Sequence, residues 1–418
     1  ISQITIATPR VLPTYEQIKE DYEKQGYSYG TEFIKFQAEE SFSKNDPTVR
    51  RESNSDPKSE PQSVGSRKLN VMGDKRWRKG NQSITWKFEV PEDGLYKITM
   101  RLSQGYNDGL PSYRQIEIDG QVPFKEMEAY SFDYAKEWRG ETLANTQGEP
   151  YLFYLTKGEH HLTMTVKVGP IRDVVEKTME DILKLSEITR KITMITGPEP
   201  DPNFEYELDR NIPGLLQDLQ YLSERMDESA EKLIELSSKK PTMANNYLQT
   251  RDQLRNMVKD PDKIPKALKD LENAQVNLGT YILNLQSMPL VIDYFEISPP
   301  DQEVIIAKSN FLQRLKVTAI NFITSFTKDY DSVGSVFEET GEGTVIDVWV
   351  SRGKEWGEIM KEMADEDFTP RTGISINLNV LPAGQLGAGS VNTLMLSITS
   401  GRAPDVALGV EYKSPVEF

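Results

Sequence analysis

Nine residues, Leu290 to Ser298 (LVIDYFEIS), impose the hardest constraint on how this chain folds. They read as a β-strand, but the long segments to either side have helical periods. No sequence neighbour can therefore supply the ladder that the strand's backbone N–H and C=O groups require. The partner has to come from far upstream, where a strand-rich region breaks off at Pro170.

That region, Glu32 to Val168, consists of short runs rich in β-branched and aromatic residues, divided by Gly, Pro, Asn and Asp clusters. The predicted strands are Phe33–Ala38, Ser83–Val90, Gly94–Leu102, Ser112–Ile118, Pro150–Leu155 and Glu159–Val168. Tyr96, Ile98, Met100 and Leu102 alternate, as do Leu162, Met164, Val166 and Val168, which places each set on one sheet face. Turns fall at Pro91–Gly94, Asp119–Gly120 and Lys157–Gly158. The pattern predicts an antiparallel β-sandwich. Ser43 to Ser66, heavy in Ser, Asp, Glu, Lys and Pro, predicts a long mobile loop, and Pro13–Tyr27 a short polar helix that leads in from solvent.

After Pro170 the period becomes helical. Apolar positions at Val174–Ile192, Leu215–Leu236, Met243–Met257 and Ile264–Leu285 predict four helices. An up-down-up-down bundle returns the chain close to where it left, which suits an insertion. Ser309 to Tyr330 predicts one more amphipathic helix. Thr344–Val350, Glu355–Asp365, Ile374–Leu381, Gln385–Ser400 and Asp405–Val410 then read β-α-β-α-β, with strands of the buried parallel type, the opening of a doubly wound α/β lobe. The expected fold class is multi-domain α+β: lead-in 1–31, sandwich 32–168 plus 289–300, inserted helical bundle 169–288, helical connector 301–342 and partial α/β lobe 343–418.

Charge and composition exclude several functions. A net charge of −16 repels phosphate backbones and anionic headgroups, so nucleic acid is not an expected partner. No window approaches the roughly 18–20 apolar residues of a membrane span, which predicts a soluble chain. With no cysteine there are no disulfides, thiolate metal sites or cysteine nucleophiles. His160 and His161 are the only histidines and fit a strand-end packing role. There is no Gly-rich phosphate loop, Gly-x-Ser-x-Gly elbow or His-Glu-x-x-His pair, and nothing singles out a carboxylate pair among 65 acidic residues, so an enzyme is not expected. The chain starts at Ile1 with no export signal in view and stops just after a strand-like run; we read both ends as cut.

The sandwich resembles carbohydrate-binding modules of the galactose-binding-like jelly-roll type. The resemblance lies in Phe36-Gln37-Ala38-Glu39-Glu40, Val90-Pro91-Glu92-Asp93-Gly94-Leu95-Tyr96, Glu117-Ile118-Asp119-Gly120, Gly158-Glu159-His160-His161-Leu162 and Ile292-Asp293-Tyr294-Phe295-Glu296-Ile297. It implies a structural calcium ion where the first and last strands meet, with Glu39 and Asp293 as ligands; the alternative is that both are sandwich-edge charges. It also implies an aromatic sugar platform, for which Tyr106, Tyr134, Trp138 and Trp77 are the candidates, the alternative being that these rings cover the sandwich or contact the helices. Ile292 departs from the family, which often carries asparagine there.

The last segment resembles the N-terminal lobe of extracellular solute-binding proteins that feed sugars to ABC transporters. It matches through Ile346-Asp347-Val348-Trp349-Val350-Ser351-Arg352-Gly353, Thr372-Gly373-Ile374, Val380-Leu381-Pro382 and Ser400-Gly401-Arg402-Ala403-Pro404-Asp405-Val406. By this resemblance Ser351, Arg352, Gly353 and Lys354 would face a solute cleft at the carboxyl ends of the strands. The implied role is capture of an oligosaccharide outside the cell, at a surface anchor, for delivery to an ABC transporter permease. The alternatives are a stand-alone extracellular glycan-binding or adhesion module, and a glycoside hydrolase or lyase with an accessory sandwich.

Overall fold

The structure is a computed structural model that describes residues 11–63, 68–201, 203–303, 311–325, 344–382, 386 and 393–410. Contacts divide the chain into one unit of residues 1–50 and 72–306 and a second of residues 51–71 and 307–418.

The first unit opens with helix α1, Tyr15–Gln25, started by a capping box between Thr14 and Gln17 and ended by Gly26. It is not the solvated lead-in expected. Tyr15 is buried, its ring lying 5.0 Å from Phe124 and 4.6 Å from Tyr151, and its hydroxyl accepts a hydrogen bond from the Leu152 N–H at 2.9 Å. Ile18 packs against the same core, and the Tyr15 N–H donates to Glu126 Oε2 at 3.0 Å, so a few contacts dock an otherwise polar helix.

Besides the two-residue strand Ser43–Lys44, which pairs with Thr85 and Ile84, the strands of this unit are β1 Ile34–Gln37, β2 Val71–Asp74, β3 Ser83–Val90, β4 Gly94–Gln104, β5 Ser112–Ile118, β6 Tyr130–Phe132, β7 Ala135–Thr142, β8 Phe153–Leu155, β9 Gly158–Lys167 and β10 Leu290–Ser298. In one antiparallel sheet β10 lies beside β4, with Phe295 opposite Met100 and Ile297 opposite Ile98; β1 and β2 pair with its other edge. β7 and β8 pair with β4. In the other sheet β9 lies between β3 and β5, and β5 pairs with β6. The two sheets meet through Trp86 and Phe295, ring centroids 4.7 Å apart, with Phe36 stacked on both Phe295 and Phe88. Burying an aromatic or aliphatic side chain of this size contributes roughly 1.5–3 kcal/mol.

Four long helices fill the chain between β9 and β10: α2 Ile171–Thr196, α3 Leu215–Glu235, α4 Thr242–Lys259 and α5 Leu268–Leu285. Their buried faces continue the sandwich core without a break, from Leu110 and Tyr113 through Ile171 to Leu185, Met226, Tyr247 and Leu278. The chain enters the bundle at Gly169, whose φ is 59° and where a Cβ would lie 2.6 Å from the Tyr113 ring, so only glycine fits. Between the helices lies a polar cluster. Asp181 is buried and accepts from the Arg225 guanidinium, which also bonds Glu180 and the Lys177 carbonyl, and Thr178 shares a 2.7 Å hydrogen bond with Tyr247.

In the second unit Asn70, fully buried, holds the segment that precedes it. Its Nδ2 donates to the carbonyls of Asn54 and Pro61 at 3.0 and 2.7 Å, and its Oδ1 accepts from the Asn54 N–H at 2.8 Å. The described part of the expected mobile loop is thus ordered at both ends: one buried amide satisfies three backbone groups at Asn54 and Pro61, and in the first unit Asn45 accepts from the Ser83 N–H at 2.8 Å. The same unit contains helix α6 Phe311–Ser325; the remainder of the predicted Ser309–Tyr330 helix lies outside the described residues. It also holds a parallel sheet of β11 Val345–Val350, β12 Ser375–Val380 and β13 Val406–Leu408 in the order β12-β11-β13. Helix α7, Lys354–Met363, packs Met360 against Val348, Val350 and Leu378, while α8, Thr393–Thr399, packs Leu394 in the cluster that includes Trp349 and Ala407. Alternate residues of β11 point to opposite faces, so the two helices cover opposite faces of the sheet. The expected continuous burial of β11 holds only at its end: Val345 is half exposed. Among the described residues no helix is long and apolar enough to cross a membrane.

Burial raises the Asp181 carboxyl from an ordinary value of 3.8 to about 6, against the opposing pull of Arg225. Between those values the folded chain binds more protons than the unfolded one, so this group makes stability fall as pH rises from about 4 to about 6. Asp181→Asn removes that slope. Melting temperatures measured from pH 4 to pH 7 should shift in favour of the variant, relative to the parent, as pH rises through this window.

Candidate functional site

The order β12-β11-β13 creates a switch point. From β11 the chain passes to β12 through α7 and on to β13 through α8, so β11 stands between its two successors and the strand order reverses at its carboxyl end, where open α/β sheets bind ligands. Ser351 begins the loop after β11, its N–H donating to the Leu408 carbonyl at 3.1 Å, and Arg352, Gly353 and Lys354 are exposed. Gly409 begins the loop after β13 with φ 84°; a Cβ there would lie 3.4 Å from the Ser351 carbonyl oxygen. Asp405 accepts from the Asp347 N–H at 2.8 Å, and Asp347 accepts from Asn377 Nδ2 at 2.6 Å, tying the three strands together. The four predicted cleft residues thus follow directly on the strand that the other two flank. Sequence reasoning missed Trp356, in the first turn of α7 and 62% exposed, although its place two residues past Lys354 sets it at the same end of the sheet.

The four predicted platform aromatics do not come together. Trp77 is fully buried, its ring 4.0 Å from the Arg114 guanidinium and its Nε1 donating to the Gln82 carbonyl at 3.2 Å. It is a core residue, which corrects its assignment to a sugar face: the alternating signal of β2 was too short to place it. Arg114 donates to the carbonyls of Trp77, Met288 and Tyr113 at 2.8–3.0 Å, and full burial pushes its pKa well down. Trp138 lies half-buried on β7, a strand the sequence reading took for a loop, with Arg101 at 4.7 Å from its ring. Tyr134 is half-buried under Lys239 at 4.6 Å. Tyr106 is 48% exposed, with Lys75 at 4.9 Å from its ring and its hydroxyl donating to Asp74 at 3.0 Å.

The outer face of the β4–β10 sheet is polar by alternation and buried all the same. Lys97, Thr99, Arg101 and Ser103 point away from Ile98, Met100 and Leu102, and Lys97 donates to the carbonyls of Pro300 and Gln302 at 3.1 and 2.5 Å. At a bulge between Ile292 and Tyr294 the Asp293 carboxylate meets the Arg101 guanidinium, both side chains fully buried. Glu39 is buried too. Calcium seeks six to eight oxygens. Asp293 is engaged by a guanidinium, and among the described residues no group of three or more His, Asp or Glu side chains comes together. His160 bridges Asp119 and the Thr156 carbonyl at 2.7 Å each and stacks on Phe88, closing a strand end.

The loop after β4 is latched to the bundle. Asp108, in the left-handed region at φ 40°, accepts from Lys239 at 2.8 Å and from the Thr242 hydroxyl; these bonds hold its carboxyl down at about 2. Gly109, at φ 99°, brings its backbone so near that a Cβ would stand 2.8 Å from the Lys239 carbonyl oxygen. Asn107 donates to the Ser287 carbonyl at 2.8 Å.

Residues 173–287 match the family model described as bacterial solute-binding protein, 4-helix bundle domain. Solved structures similar to part of the chain include a cycloisomaltooligosaccharide glucanotransferase from Paenibacillus sp. in complex with cycloisomaltoheptaose, at 18% identity and TM-score 0.24, covering 38% of this chain and 21% of that one. A family 35 carbohydrate binding module from Clostridium thermocellum is similar at 15% identity and TM-score 0.22, covering 33% of this chain and 88% of the module. The C-terminal CBM6 of the laminarinase LamC from Zobellia galactanivorans is similar at 13% identity and TM-score 0.21, covering 32% and 89%. Likenesses of this size bear on neither ligand nor activity. No curated protein matches the chain.

Asp293→Ala removes the carboxylate that faces Arg101 and leaves a buried positive charge. Urea unfolding followed by tryptophan fluorescence should show a loss of about 3–5 kcal/mol, much of it recovered when Arg101→Met is added.

Proposed function

We propose that this chain belongs to the substrate-binding component of a carbohydrate ABC importer, held at the outer surface of the cell, that captures an oligosaccharide and presents it to a permease. The observation that carries the reading is the switch-point strand order of the parallel sheet, in the same chain as a helical segment similar to the bundle domain of bacterial solute-binding proteins. Open α/β sheets bind small ligands at such points.

The sugar class is supported by what stands at this switch point. Trp356 offers an exposed flat ring in the first turn of α7, beside the exposed polar residues Arg352 and Lys354. The C–H face of a pyranose packs on such a ring, and neighbouring polar groups select its hydroxyls. The reading is of a binding protein, not an enzyme: hydrogen bonds and ring stacking hold the ligand, and no bond in it is broken.

Titration of the intact protein with oligosaccharides tests this. Trp356→Ala should weaken binding by about 2 kcal/mol, roughly thirtyfold in Kd, without lowering the melting temperature. Deleting the permease should abolish uptake of the bound sugar. Binding that persists while uptake is indifferent to the permease would favour the stand-alone glycan module instead.

A further inference from the structure

Where the sandwich meets the bundle there is a second cavity, of about 420 Å³. That lies within the range of small-molecule sites, roughly 300–1,000 Å³. Lys75, Arg78 and Tyr106 come to it from the sandwich, Asn246 and Asn284 from helices α4 and α5. Its walls are preorganised. The Asp108 and Asn107 latches join them, the Arg78 N–H donates to Gln82 Oε1 at 2.9 Å, and the Arg78 carbonyl accepts from the Met288 N–H at 2.8 Å.

The side chains lining this cavity have chemistry to spare. The guanidinium of Arg78 and the side-chain amides of Asn246 and Asn284 make no hydrogen bond or ion pair among the described residues. Asp108 is paired with Lys239, and Asp74, which keeps its charge while accepting from the Tyr106 hydroxyl, offsets one of Lys75 and Arg78, so one positive charge is left over in a chain of charge −16. Such a local reversal of sign favours an anion over a neutral ligand. Beside the two cations Tyr106 exposes an apolar ring, and the two amides can both donate and accept.

We propose that this cavity binds an acidic sugar unit, a pyranose that carries a carboxylate, as in a uronic acid. Arg78 pairs with the carboxylate through its planar fork and Lys75 adds a second positive charge. The Tyr106 ring takes the C–H face, and Asn246 and Asn284 bond the hydroxyls. The choice of a sugar rests on the carbohydrate reading above, whereas the choice of an anion rests on Lys75 and Arg78 alone. The site needs both the sandwich and the helices, which gives the latches between them a purpose beyond stability.

The test is calorimetric titration of the full chain with trigalacturonate, a neutral galactose trisaccharide and inorganic phosphate, for the parent, Arg78→Gln, Arg78→Lys and Tyr106→Ala. The parent should bind trigalacturonate. Arg78→Gln should weaken that binding about tenfold or more, with partial recovery in Arg78→Lys, and Tyr106→Ala should weaken it separately. Neutral oligosaccharides that bind the parent should bind these variants equally well, and melting temperatures should hold, since Arg78 is exposed. Failure of the parent to bind trigalacturonate, or binding indifferent to Arg78, overturns the proposal. So does phosphate binding as tight as trigalacturonate with no effect of Tyr106→Ala, which marks a bare anion site. A parent that binds neutral oligosaccharides but not trigalacturonate defeats this inference and leaves the importer reading standing.

Discussion

Everything in the first unit depends on how β10 finds its place. It arrives after four helices, pairs with β4 on one edge and with β1 and β2 on the other, and has all nine residues buried. A strand closed on both edges and covered on both faces cannot form before its partners are assembled. Its polar members therefore had to find partners inside the protein. Asp293 meets Arg101, Lys35 approaches Glu296 at 3.9 Å and lies over the Tyr294 ring at 3.7 Å, and the Ala38 N–H donates to the Asp293 carbonyl at 2.9 Å. Taking a carboxylate and a guanidinium out of water costs several kcal/mol, so the direct pair offsets a penalty more than it adds stability. It also sets register, because a slip of one residue would leave both charges unanswered.

The return of β10 makes the bundle an integral part of the sandwich. Arg114 clamps the carbonyl of Met288, where the last helix gives way to the strand, and Trp77 backs that clamp from below. At the other end of the contact, Asp108 and Asn107 hold the turn before α4 and the end of α5. One apolar core therefore runs through both parts, and the cavity between them has walls from each. The second unit follows a different logic: a central strand flanked on both sides makes a switch point, so the place where such sheets bind ligands follows from strand order before any particular side chain is chosen.

Much of this could be read in the residues in order. Ser83–Val90 and Ser112–Ile118 form strands over the residues predicted, and α2 to α5 lie where the 3.6-residue period placed them, because long amphipathic patterns leave the backbone few alternatives. The alternation of Ile98, Met100 and Leu102 pointed correctly to the core. Short or irregular elements were not legible. β7 (AKEWRGET) has no clean alternation, since β4 recruits it by hydrogen bonds and not by an apolar face, and β2 is only four residues long. Ser43 to Ser66 looked like solvent-loving loop by composition, yet part of it is held by Asn70, whose polar side chain signals nothing of the kind in sequence.

The chain's order of residues alone determined the elements, their periods, the insertion of helices into a sheet-forming region and the β-α-β-α-β character of the last segment, because those follow from local spacing of apolar groups. Which polar residues are spent on structure was decided only in three dimensions. Trp77 and Asp293 had the right chemistry for a platform and a metal ligand, but in the fold one is sealed under Arg114 and the other answers Arg101, while the guanidinium of Arg78, unremarked in sequence, borders a cavity with no partner among the described residues. A side chain's capacity to bind depends on whether another part of the protein has already used it, and that partner lies as much as 205 residues away along the chain.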